Sequence, residues 1–148
     1  MADRMTNRKI LHRLRAATGP DRHLDFDIAL AVGLVTQCVG SDGMTWFSTA
    51  EYPAFLGVPK GQRGEFGLVT GEGRNYTSSI DAALTLVETT LPGWGADLYW
   101  RPALRGHTAA IGYGESLEHA TVGLVAWTLP IAIMIALFAA LVEDVHHG

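Results

Sequence analysis

TVGLVAWTLPIAIMIALFAALV, residues 121–142, contains no charged side chain and is mostly Leu, Ile, Val and Ala. Whether it crosses a bilayer or fills a protein core decides the fold. A spanning helix needs about 20 continuous apolar residues to cross roughly 30 Å of hydrocarbon, and Pro130 interrupts this run. Proline is favourable in a first helical turn, where its missing N–H would be unpaired anyway; in a helix interior it costs about 3 kcal/mol. Thr128 stands where an N-cap makes Pro130 an early-turn residue. The spacing predicts a helix from about Leu129 to Val142, roughly 20 Å long and too short to span. Glu143 and Asp144 follow directly, without the basic flanks that orient a membrane helix. The run therefore reads as a buried core helix. A membrane-associated accessory protein stays as an alternative, because kinked prolines occur in membrane helices.

Working outward, 148 residues suffice for one domain with a core of its own, without metal or disulfide staples. The single cysteine, Cys38, excludes an internal disulfide framework and fits a reducing compartment. No apolar stretch follows the basic N-terminal residues, so a secreted protein is not expected. Charged residues are few at 18%, which implies much buried surface or a surface covered by a partner. Arg4, Arg8, Lys9, Arg13 and Arg15 stand against Asp3, a local charge of about +4 on a body of about −8. From Gly106 onward there is no Lys or Arg.

The same periodicity argument orders the rest. Residues 6–17 predict an amphipathic helix with an Ile10, Leu11, Leu14 and Ala17 stripe, closed by Thr18-Gly19-Pro20. A second helix is expected from Asp21 to about Val35, its end blurred by Gly33 and residues 36–43. A short strand is expected over 44–47. Residues 57–75 read as a Gly-rich surface loop, with at most an edge strand over 66–69. Ser78 and Asp81 at capping-box spacing open a helix to Leu91, with Ile80, Ala83, Leu84, Val87 and Leu91 on one face, and Pro92-Gly93 stops it. Leu98 and Trp100 alternate with Asp97, Tyr99 and Arg101, as in a sheet with one wet face, and 107–113 is the candidate partner strand. The expected fold class is α/β: a small sandwich, 1–148, in which helices pack an antiparallel or mixed sheet of about three to four strands.

Leu14-Arg15-Ala16-Ala17-Thr18-Gly19-Pro20-Asp21-Arg22, with Leu24-Asp25 and Ile28-Ala29, resembles the opening of the small phage and prophage proteins called the phage ABA sandwich domain family. Tyr76-Thr77-Ser78-Ser79-Ile80-Asp81-Ala82-Ala83-Leu84 and Leu86-Val87, closed by Pro92-Gly93-Trp94, is similar to the family's central segment. Thr128-Leu129-Pro130 leading into an Ala-rich apolar helix resembles its C-terminal one. The resemblance covers most of the chain outside the Gly-rich insert. It implies an α/β sandwich of phage origin with no assigned activity, in the host cytoplasm or the virion. This sequence departs from the pattern in bulkier residues over 131–138 and in apolar residues over 122–127, both of which hint at additional buried surface.

No motif carries chemistry. His107 and His119, with Glu115 and Glu118 between them, lack a ligand spacing that one helix converges, and zinc sites use compact pairs; no metal and no cofactor are expected. Ser78, Ser116 and the histidines can be arranged as a triad only on paper, because the Gly-x-Ser-x-Gly elbow is missing; no catalytic residue is assigned. Gly71, Gly73, Arg74 and Ser78 form the one candidate ligand site, since free N–H groups at a helix start attract phosphate. They support the alternative of a small-ligand or nucleotide-binding protein. The aromatic residues lie in the acidic body, away from the basic helix, which disfavours nucleic acid. Four tryptophans in a small domain favour a protein partner or self-association, with Ile10, Leu11, Leu14, Trp46, Tyr99 and Trp127 as candidate interface residues. The N-terminal stripe is expected to dock on the chain's own body or on a second copy. The leading expectation is a non-enzymatic phage accessory protein acting through protein–protein contacts.

Overall fold

A computed structural model describes residues 3–39, 44–49, 56–59, 75–101, 106–113, 121–122, 126 and 128–143. In chain order the elements are α1 (Arg4–Ala16), α2 (Arg22–Ala31), β1 (Val35–Val39), β2 (Met44–Thr49), β3 (Leu56–Pro59), α3 (Ile80–Thr90), β4 (Trp94–Arg101), β5 (Gly106–Tyr113), β6 (Thr121–Val122) and α4 (Leu129–Glu143). The chain is a small α/β domain with antiparallel sheet packed against helices. The described strands fall into two three-stranded sheets, β1-β2-β3 and β4-β5-β6, where one sheet was expected, and every pairing is antiparallel.

Helix α4 organises the core. Thr128 accepts from the Ile131 N–H through its hydroxyl at 3.5 Å and from the Ala132 N–H through its carbonyl at 3.1 Å. Pro130 is then the second helical residue, where no intrahelical N–H bond is lost. Every side chain from Pro130 to Leu141 is buried. A helix apolar on all sides must be surrounded, and α4 packs against α1, α3, β5 and β6. Its 15 residues span about 22 Å, and no helix among the described residues is long and apolar enough to cross a membrane.

Helix α1 is capped by Asp3, whose carboxylate accepts from the Thr6 N–H at 2.8 Å, a bond that lowers its pKa. It buries Asn7, Ile10, Leu11 and Leu14 while packing against α4. Of the two dockings expected for this stripe, the structure adopts the one onto the chain's own body. Arg13 ties α1 to Asp27 of α2.

Helix α2 ends four residues earlier than expected. Gly33 adopts φ 84°, its N–H bonds to the Leu30 carbonyl, and the Leu34 N–H reaches back to the Ala29 carbonyl. This left-handed terminus satisfies the last carbonyls and redirects the chain. Val35 then starts β1, a strand the sequence reading missed, pairing Val35↔Thr49 through Val39↔Thr45. Strand β3 pairs the opening of the segment expected to be a surface loop, with Phe47↔Leu56 and Met44↔Pro59 in register. The expected edge strand at 66–69 lies outside the described residues.

Helix α3 forms where the sequence put it, but rotated. Ser79, not Ser78, is the N-cap, accepting from the Ala82 N–H at 3.2 Å. The buried residues are Ala82, Ala83, Leu86 and Val87, followed by Leu91, whereas Ile80 is 40% exposed and Leu84 half-buried. The helix touches both α4 and β4, and the small Ala82 and Ala83 allow close approach, so the buried arc turns towards their side. Leu86→Ala is expected to cost at least about 2 kcal/mol in urea unfolding, and Leu84→Ala clearly less. Equal losses would contradict this orientation.

Strands β4 and β5 confirm the expected pair, running in register from Trp94↔Tyr113 to Arg101↔Gly106. On β4, Trp94 is buried and Ala96 and Leu98 half-buried, while Gly95, Asp97 and Tyr99 face solvent. Ala109 and Ile111 of β5 belong to the core with α4.

Candidate protein-interaction surface

The turn between α3 and β4 builds the surface. The Leu91 N–H closes on the Val87 carbonyl at 2.8 Å and the Trp94 N–H on the Leu91 carbonyl at 3.1 Å. Gly93, at φ 85°, occupies the left-handed conformation the reversal needs. The C-terminal end of α3 is thereby laid beside the start of β4. Between them runs an open groove of about 530 Å³, lined by Leu84, Val87, Glu88, Gly93, Trp94, Gly95 and Ala96. Ile80, Leu84 and Glu88 recur every fourth residue on α3, so the exposed Ile80 continues the groove's apolar wall along the helix. On the sheet, Tyr99 is 41% exposed and its hydroxyl lies 3.5 Å from Asp97 Oδ2.

Of the candidate ligand site, Ser78 alone falls among the described residues. Gly71, Gly73 and Arg74 lie outside the described residues. Ser78 is exposed, precedes the helix by two positions, and donates to the Asn75 carbonyl at 3.3 Å. Ser79→Ala is expected to cost about 0.5–2 kcal/mol, as for other helix caps, and Ser78→Ala no more than about 0.5 kcal/mol; thermal or urea unfolding of the two variants decides which serine caps α3.

Among the candidate interface residues, Ile10, Leu11 and Leu14 are enclosed within the chain and unavailable to a partner. Tyr99 is on the surface; the Trp46 side chain and Trp127 lie outside the description. Arg4, Arg8, Lys9 and Arg15 are exposed along α1. Among the described residues no three His, Cys, Asp or Glu side chains cluster as metal ligands. His107 takes its place in β5, exchanging backbone bonds with Ala126 at 2.9 and 2.8 Å.

One buried polar cluster escaped the sequence reading. Asp25 of α2 is 0% exposed. Its Oδ1 accepts from both the N–H and the hydroxyl of Thr77, each at 2.8 Å. Thr77 Oγ1 in turn accepts from the Asp21 N–H at 2.8 Å, and the Asp21 side chain caps α2 through the Leu24 N–H at 3.0 Å. Arg22 Nη1 stands 3.6 Å from Asp25 Oδ2, an oxygen that accepts no hydrogen bond. Burial raises the Asp25 pKa; the two Thr77 bonds and the Arg22 charge oppose that rise, and Asp21 adds to it. The cluster fastens the start of α2 to the chain entering α3, which is a structural role.

No family model, curated protein or solved structure matches this chain. Among the described residues the large apolar side chains left exposed are Met5 on α1, Ile80 on α3 and Tyr99 on β4.

Proposed function

We propose that this chain is a non-enzymatic phage or prophage accessory protein acting through protein–protein contact, in virion or self-assembly or on a host factor. The supporting observation is the groove between α3 and β4, together with the exposed Ile80 on α3 and the exposed Tyr99 on β4. Water-exposed groups of that kind are what protein interfaces bury, and Tyr is favoured there. The described ionisable groups with resolved partners serve caps and ties between segments, as Asp3, Asp21, Asp25 and the Arg13–Asp27 pair do. The phage origin and the reading of the helix-on-sheet packing as a sandwich rest on the three sequence segments that resemble the phage ABA sandwich domain family. Sedimentation of the purified chain, together with cross-linking in phage-infected cells, tests the proposal. A self-associated species or one stoichiometric partner is expected. A protein that is monomeric in both settings would overturn it.

A further inference from the structure

Helix α1 turns Asn7, Ile10, Leu11 and Leu14 into the core and leaves Arg4, Arg8, Lys9 and Arg15 in water. Among the described residues the ion pairs are Arg13–Asp27 and Arg22–Asp25, and neither takes one of those four cations. No Asp or Glu occurs within the helix. Asp3, its cap, has a pKa lowered chiefly by the Thr6 bonds and to a smaller extent by the charge of Lys9. The described part of the acidic body thus neutralises Arg13 and leaves the outer row of arginines without a carboxylate. Arg4, Arg8, His12 and Arg15 are spaced by four, four and three residues, so they share an arc of about 80° and run about 16 Å along the axis. All four are exposed. Because the buried stripe fixes α1 on α4, the row is held straight on a rigid support.

We propose that this row binds the phosphate backbone of double-stranded nucleic acid. What the face offers decides among polyanions. A protein interface gathers around an apolar, charge-depleted centre, and a bilayer takes an amphipathic helix by its apolar face. The apolar stripe of α1 is enclosed, and Met5 is the one large apolar side chain exposed on the helix. Phosphate contacts need neither. They draw their free energy from the counterions that Lys and Arg displace, and the guanidinium fork matches phosphate geometry. No Phe, Tyr or Trp stands on α1, so the bases of a single strand find no stacking platform there. That absence tells against single strands and leaves a duplex, whose bases stay stacked. The acidic remainder of the chain is repelled by a polyanion, which turns α1 towards it. Contacts to phosphate carry no sequence information, so binding is expected to be indifferent to base sequence. The contact uses a different face from the α3–β4 groove and stands independently of the protein-contact reading.

Fluorescence anisotropy of a short labelled DNA duplex titrated with the full chain tests the row. Three arginine–phosphate contacts predict an affinity that falls about 40-fold between roughly 50 and 200 mM salt, a log–log slope of about −2.7. Arg8→Gln is expected to flatten that slope by about 1, and Arg4→Gln, Arg8→Gln and Arg15→Gln together to weaken binding at the lower salt by about tenfold or more, equally for duplexes of different sequence. Arg4→Lys, Arg8→Lys and Arg15→Lys together keep the charges and are expected to stay within about threefold of the wild type, which separates lost charge from lost folding. Oligo-dT of the same length, anionic phosphatidylserine vesicles and polyglutamate are expected to bind more weakly than the duplex. A wild type that does not bind the duplex at low salt, or whose binding is unmoved by the glutamine changes, would overturn the proposal. Binding to the vesicles or to polyglutamate as tight as to the duplex would overturn it equally.

Discussion

Replacing Phe138 with alanine is expected to lower the unfolding free energy by about 3–5 kcal/mol, the range seen when a fully buried aromatic side chain is removed. Phe138 sits in α4 with no exposure, as do Ile131, Ile133, Met134 and Leu137 on the turns around it. Because α4 is enclosed by α1, α3, β5 and β6, no side of the helix can collapse into the vacated space without moving a neighbouring element. Small domains have only about 5–15 kcal/mol to lose, so Phe138→Ala should leave a marginal or partly unfolded chain at 25 °C. Urea unfolding followed by tryptophan fluorescence measures this. A loss under about 1 kcal/mol would mean that α4 is not the centre of the core, and would return weight to an assembly or membrane role for the uncharged run.

The parts legible in the sequence were those with a local signal. Thr128 and Pro130 marked the start of α4 because capping and proline chemistry act within one turn. The alternation of β4 and the Pro92-Gly93 stop were equally local. The face of α3 was misjudged because a periodic reading weights Ile80 and Leu84 above Ala82, whereas the contact with α4 rewards small residues. Strand β1 was missed because its Thr36-Gln37-Cys38 middle lacks apolar alternation and the strand follows a helix whose Gly33 terminus was noticed but not used. Asp25 carries no local signal of its burial, since its partner Thr77 lies 52 positions away. The groove between α3 and β4, and with it the candidate surface, depends on how helix and strand pack, which no local pattern encodes.

Thr77→Val is expected to cost roughly 3–5 kcal/mol at neutral pH, more than its near-isosteric shape implies. Two losses combine. The buried Asp25 carboxylate loses the hydroxyl bond at 2.8 Å, and a bond to a charged group is worth about 1.5–3 kcal/mol. The Asp21 N–H loses its acceptor at the start of α2, an orphaned donor costing about 1–3 kcal/mol. The pH dependence separates this from a packing defect. Burial holds the folded-state pKa of Asp25 above 3.8, with Asp21 on the same side and Arg22 opposing. Protonation therefore favours the fold: its contribution is complete below about 3.8 and is lost as pH rises through the raised folded value. Removing the Thr77 hydroxyl, which opposes that rise, pushes the value higher still. The deficit of Thr77→Val should be largest near neutrality and shrink as the pH falls towards 3.8. Asp25→Asn keeps an oxygen for both Thr77 donors without a buried charge, so it should be as stable as the wild type or more so at neutral pH. In that background the cost of Thr77→Val should be smaller and flat with pH. A deficit under about 1 kcal/mol, or one unchanged across this window, would show that Asp25 does not carry an ionisation burden in the fold.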